Sequence, residues 1–178
     1  MENIVKVLES GNSEEKIKIL ETLDKTDNPE VLEKIISKLD DDDIKVRGEA
    51  FSSLILNKNK ISDFLIQNLN STSKNIRGFA ALVLANRNET NAIPNITKLA
   101  KDERSMVRSC AIGALGHLKA KEAKDIFLDS VLDTNVEVRK SALQAIINLK
   151  FPIAEERITE ISKEADSELL KMLSKLKK

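Results

Sequence analysis

An aliphatic residue followed by arginine recurs four times along this chain, at Val46-Arg47, Ile76-Arg77, Val107-Arg108 and Val138-Arg139, with the arginines 30, 31 and 31 residues apart. The surrounding segments align without gaps as DDDIKVRGEAFSSL, STSKNIRGFAALVL, DERSMVRSCAIGAL and DTNVEVRKSALQAI. Three residues after each arginine stands Ala50, Ala80, Ala111 or Ala142, and seven after it Leu54, Leu84, Leu115 or Ile146. A fixed period of this length means stacked supersecondary units, none of which can bury its apolar face alone. Degenerate copies flank the four: SEEKIKILETL upstream, with Lys16 in the arginine place and Leu23 seven residues on, and SELLKMLSKL at the end.

The spacing within each copy is helical. The aliphatic residue, the alanine and the leucine fall every fourth position and form one stripe, with the small alanine where two helices approach closely. Asp43, Ser73 and Asn135 stand where N-caps belong. A second, looser helical pattern lies between successive copies, and Pro29 and Pro152 open two of those helices, where a missing N–H costs nothing. The patterns predict helix pairs at 1–10 and 13–24, 29–40 and 43–57, 60–70 and 73–86, 90–101 and 104–118, 121–132 and 135–149, and 152–164 and 167–177. They group as repeats 1–27, 28–58, 59–88, 89–119, 120–150 and 151–178 of one domain, the first and last acting as caps.

Composition agrees. Apolar residues are 41% of the 178, enough to build a core, while aromatics are 3%, with no Trp or Tyr. Five Gly and three Pro are too few for a turn-rich all-β chain. The one cysteine, Cys110, excludes an intrachain disulfide. The opening MENIVKVLES has no signal-peptide pattern, and the most apolar stretch, Phe79 to Ala85, is too short to span a bilayer. A cytoplasmic protein is expected.

The D-x-x-x-x-V-R-x-x-A-x-x-x-L pattern resembles HEAT repeats, in particular the short bilin-lyase-type HEAT-like repeats. Asp41, Asp102 and Asp133 stand six residues before their arginine, as in that family; Ser71 departs from it. Pro94, fourteen residues before Arg108, matches the proline often found in the first HEAT helix. The resemblance covers essentially the whole chain. It implies an all-α, α-α superhelix of about six helix pairs with the V-R helices on the concave side. It also implies a ladder in which Arg47, Arg77, Arg108 and Arg139 bond the aspartates of neighbouring repeats. A regularly repeated arginine reads as structural, not as a phosphate binder.

Little in the sequence points to catalysis, and neither a cofactor nor a metal is expected. His117 is the only histidine and is followed by Leu118, so the His-Glu pairs of HEAT-like iron hydroxylases are missing. Cys110 and His117 are two turns apart, too far for a close dyad. The acidic run Asp40 to Asp43 reads as a solvated helix start. Net charge is zero, but residues 1–50 carry 14 acidic and 8 basic side chains and residues 51–120 carry 4 and 10, a basic middle suited to an acidic partner. Zero net charge and few aromatics weigh against nucleic acid, although helical-repeat DNA glycosylases share this fold style.

What remains is a non-enzymatic scaffold that binds a peptide or protein along its concave face. The alternatives are a nucleic-acid-associated repeat protein and a non-catalytic subunit of a bilin-lyase-like enzyme. Positions one, five and nine after each arginine point away from the stripe: Gly48, Gly78, Ser109 and Lys140; Ser52, Leu82, Gly113 and Gln144; Leu56, Asn86, His117 and Asn148. The residues expected at the partner are Phe79, Leu82, Asn86, Ser109, Gly113, His117, Gln144 and Asn148. Leu82 and Phe79 form its apolar patch, with Lys74 and Arg87 as a basic rim.

Overall fold

The computed structural model describes residues 2–176. Among them it contains twelve α-helices and no strand. The chain divides into two compact units, 1–92 and 93–178. The first holds α1 (Glu2–Ser10), α2 (Ser13–Leu20), α3 (Pro29–Ser37), α4 (Ile44–Leu56), α5 (Ser62–Asn68) and α6 (Lys74–Asn86). The second holds α7 (Ile93–Leu99), α8 (Ser105–His117), α9 (Lys124–Ser130), α10 (Val136–Leu149), α11 (Glu155–Lys163) and α12 (Ser167–Ser174). Short 3-10 turns at 38–40, 90–92 and 121–123 follow α3 and precede α7 and α9.

Local chemistry sets the helix ends. The Asp43 carboxylate accepts from the Lys45 N–H, the Ser73 hydroxyl from Ile76, and the Asn135 amide oxygen from Glu137 and Val138. Pro29 opens α3 behind the Asn28 cap. At the other end, Asn88, Lys119 and Lys150 adopt left-handed backbone, with φ of 58°, 55° and 57°. Each stands eleven residues after its repeat's arginine. The next residue's N–H turns back to a carbonyl five residues earlier: Glu89 to Leu84, Ala120 to Leu115, Phe151 to Ile146. These are Schellman-type stops built without glycine, the residue that usually signals them.

The expected helices differ from the observed ones at several of their ends. α2 ends at Leu20, where the Thr22 hydroxyl bonds the Ile19 carbonyl at 2.7 Å, and the chain turns instead of running on to residue 24. Pro152 opens no helix: the stop at Lys150 and Phe151 is still completing itself there, and α11 starts at Glu155. The segment 90–101 is a 3-10 turn followed by α7, with Pro94 in the first helical turn. The last helix ends at Ser174, and residue 177 of the expected span lies outside the described residues.

The stripe residues form the cores. Val46, Ala50 and Leu54 of α4, and Val138, Ala142 and Ile146 of α10, have no exposed surface. Gly116 marks a close approach of α8 to α10, since a Cβ there would lie 3.0 Å from the Ala145 Cβ.

The repeated arginine first serves its own turn. Arg47 donates to the carbonyls of Asp41 and Asp42 at 2.7 and 3.1 Å, Arg77 to Ser71 and Thr72 at 2.9 and 3.1 Å, Arg108 to Asp102 and Glu103 at 2.9 and 3.3 Å, and Arg139 to Asp133 and Thr134 at 2.8 and 3.4 Å. The aspartate six residues earlier folds the same turn. Asp41, Asp102 and Asp133 accept from the N–H two residues on, and Ser71 does so through its hydroxyl. The links to the next repeat differ from rung to rung. Arg108 grips Asp133 with two bonds of 2.8 Å, Lys16 donates to Asp41 at 2.8 Å, and Arg139 reaches the backbone carbonyl of Glu164 at 3.1 Å.

Burial pushes the Asp133 carboxyl up, but the Arg108 bonds and the Asn135 N–H outweigh it and hold the group below its usual range. The stability so gained is present above the unfolded value near 3.9 and is lost as pH falls through the lower folded value. Arg108→Ala should therefore cost roughly 1–3 kcal/mol at neutral pH, with the difference from the parent protein shrinking below about pH 4, as read by chemical denaturation. Lys119→Gly should relieve the left-handed strain and raise stability by about 1 kcal/mol, visible as a higher melting temperature.

Candidate functional site

In the first unit an apolar groove of about 270 Å³ opens between α4 and α6, lined by Ile44, Arg47, Gly48, Phe51, Phe79 and Leu82. Phe51 and Phe79 meet edge to face with centroids 6.3 Å apart, a preferred arrangement for two rings. Ile44, in the first turn of α4, is 72% exposed although it is a large aliphatic residue. A Cβ at Gly48 would meet nothing within 4 Å, so this floor position is open.

The two residues expected as an apolar patch, Phe79 and Leu82, are together here, but both are half-buried and neither stands free as the helix phase suggested. Sequence reasoning missed Ile44 and Phe51. The available signal was Ile44 itself, which stands where the next two copies carry Lys74 and Ser105.

Other expectations need correction. Gly78 was placed outward with Gly48, yet it is buried. Arg87 cannot serve as a basic rim, since its guanidinium bonds the carbonyls of Leu54, Asn57 and Asn59 and contacts Glu89. Asn57 and Asn59 in turn donate to Thr26 and Lys25, so these loops are stitched together across the repeats of the first unit. Asn86 is exposed and donates to the Leu82 carbonyl at 2.8 Å.

In the second unit a groove of about 430 Å³ is bounded by α8, α10 and α12. It brings together Gly113, His117, Gln144 and Asn148, four of the expected site residues. Gln144 donates to Asn148 at 2.7 Å, which fixes both amides along α10. Gly113, like Gly48, has open space where a Cβ would be. Ser109 is not among the lining residues; its hydroxyl meets that of Ser141 at 2.9 Å. The feature not anticipated is charge. Lys140 contacts Glu168, Asp166 and Glu137 at 2.6, 3.0 and 3.4 Å. The bonds it donates to Glu168 and then Asp166 hold its ammonium well above the usual lysine range.

Candidates for other chemistry are engaged elsewhere. Burial pushes the Cys110 thiol up to about 11, which leaves it protonated and a poor nucleophile at neutral pH. In the acidic run, Asp41 pairs with Lys16 and Lys38, Asp43 caps α4, and Asp40 accepts from the Asn75 amide. Among the described residues no cluster of three or more His, Cys, Asp or Glu is placed to hold a metal, and no helix is long and apolar enough to cross a membrane.

A glycine inside a helix costs roughly 0.5–1 kcal/mol relative to alanine. At Gly48 and Gly113 the fold offers no compensating close contact. Gly48→Ala and Gly113→Ala should each raise stability by about that amount, measured by thermal unfolding.

Comparison with known proteins places the chain. A family model described as HEAT repeats matches residues 62–147. The epoxyqueuosine reductase of Staphylococcus aureus is 34% identical over 74 residues, covering 41% of this chain and 20% of that protein, so the match spans about a fifth of that relative's length. Among solved structures, an engineered protein aligns with a TM-score of 0.62 at 19% identity over 98% of this chain and 94% of its own. A computationally designed armadillo repeat protein for modular peptide recognition aligns with a TM-score of 0.57 at 18% identity, covering 98% and 97%. The complex of CpcE and CpcF of phycocyanin lyase from Nostoc aligns with a TM-score of 0.60 at 19% identity, covering 97% and 73%. With the repeated arginine turn and the paired helices, these matches show HEAT repeats over residues 62–147 and the all-α fold of armadillo- and HEAT-like repeat proteins.

Proposed function

We propose that this chain is a non-enzymatic binding module, working in the cytoplasm, that holds a segment of a partner protein in its grooves. The observation that carries the reading is Ile44, 72% exposed beside a glycine-floored apolar groove walled by Phe51, Phe79 and Leu82. A lone exposed aliphatic residue needs no explanation, but a contiguous apolar groove does. The open floors at Gly48 and Gly113 support the same reading, because a missing side chain lets a ligand backbone approach a helix. Repeat proteins of this fold class also supply precedent for peptide recognition. One designed armadillo repeat protein with a TM-score of 0.55 to this chain is in complex with the peptide (KR)4.

The test is affinity capture from the source cell with parent protein, Leu82→Glu and Ile44→Glu, each with and without nuclease. Burying one such side chain against a partner contributes about 1.5–3 kcal/mol, so either substitution should weaken capture about tenfold or more while circular dichroism stays unchanged. Should Leu82→Glu disturb the fold, Ile44→Glu keeps the test intact, because that side chain is already in solvent. A main partner retained by both variants sinks the apolar-groove reading, and one lost on nuclease treatment favours nucleic acid.

A further inference from the structure

We infer that the groove of the second unit takes a basic side chain, lysine or arginine, from the partner segment; this rests on the binding-module reading. One ammonium, Lys140, sits among three carboxylates, Glu137, Asp166 and Glu168, so the cluster carries a surplus of two negative charges. Lys140 is largely covered, with 16% of its side chain exposed, whereas Glu137 and Glu168 are 66% and 68% exposed. Each of these two glutamates accepts from Lys140 through one carboxylate oxygen. Both line the groove. Arg108, on α8 of the same unit, is committed to Asp133.

A guest ammonium or guanidinium would therefore meet two largely exposed carboxylates that line the groove. Alongside it, Gln144 and Asn148 offer amides to a peptide backbone, Met172 an apolar wall, and Gly113 an open floor. Charge complementarity selects a basic partner segment here, in contrast to the acidic partner suggested by the basic middle of the sequence.

The experiment uses the full chain and two labelled peptides of equal length, one alternating lysine with serine and one alternating glutamate with serine, read by fluorescence anisotropy at low and high salt. The lysine peptide should bind saturably and weaken with salt. The double substitution Glu137→Gln, Glu168→Gln should weaken it about tenfold or more. Gly113→Arg should abolish it, by filling the floor with a cation without touching a carboxylate. Circular dichroism and melting confirm that each variant is folded. No binding of the lysine peptide, equal binding of the glutamate peptide, or indifference to both variants overturns the inference. Because the parent protein's natural partner is read separately through Leu82→Glu, failure here leaves the binding-module reading standing if that substitution still releases the partner.

Discussion

The structure depends on how one turn is closed. Each turn ahead of the V-R helices leaves two carbonyls with no partner in the helix that follows. The repeated arginine answers both, five and six residues back, from a position whose backbone is fixed by the buried stripe. The residue at the far end of the turn, Asp41, Ser71, Asp102 or Asp133, completes the closure by accepting from the N–H two residues on. An unmet carbonyl at such a turn would cost on the order of 1–3 kcal/mol, and the turns set where each helix starts. The same groups then extend between repeats where geometry allows, most fully in the two-bond pair of Arg108 and Asp133.

That economy bears on function. The side chains most regular in sequence are consumed by the scaffold, so the proposed recognition is left to the irregular ones. Ile44, Phe51, Phe79 and Leu82 break the pattern with apolar bulk on an outward face, and Gly48 and Gly113 break it by omitting a side chain the fold could accommodate. The two grooves differ in chemistry. That of the first unit is apolar, and that of the second holds fixed amides and a carboxylate-rich cluster.

Much of this was legible in the sequence. The period located the helices, and the stripe named Val46, Ala50 and Leu54 as core, because helical spacing and burial are local consequences of the order of residues. Asp43, Ser73 and Asn135 could be read as caps for the same reason. Helix ends were harder. Asn88, Lys119 and Lys150 stop helices in a conformation that glycine usually signals, and Pro152 imitated a helix start in a segment still closing the previous one.

The sequence by itself determined the repeat, the helix count and the buried stripe, since these follow from spacing along one helix. Only the tertiary structure decided which outward residues share a groove. Ile44 and Phe51 reach Phe79 and Leu82 across some thirty residues of chain, and Lys140 meets Asp166 and Glu168 from a different repeat. It also decided that Gly78 is covered while Gly48 is open, and that Arg87 is spent on loop carbonyls. Helical phase fixes the direction in which a side chain leaves its own helix. What it meets there depends on the neighbouring helices, whose placement emerges only when the core is packed.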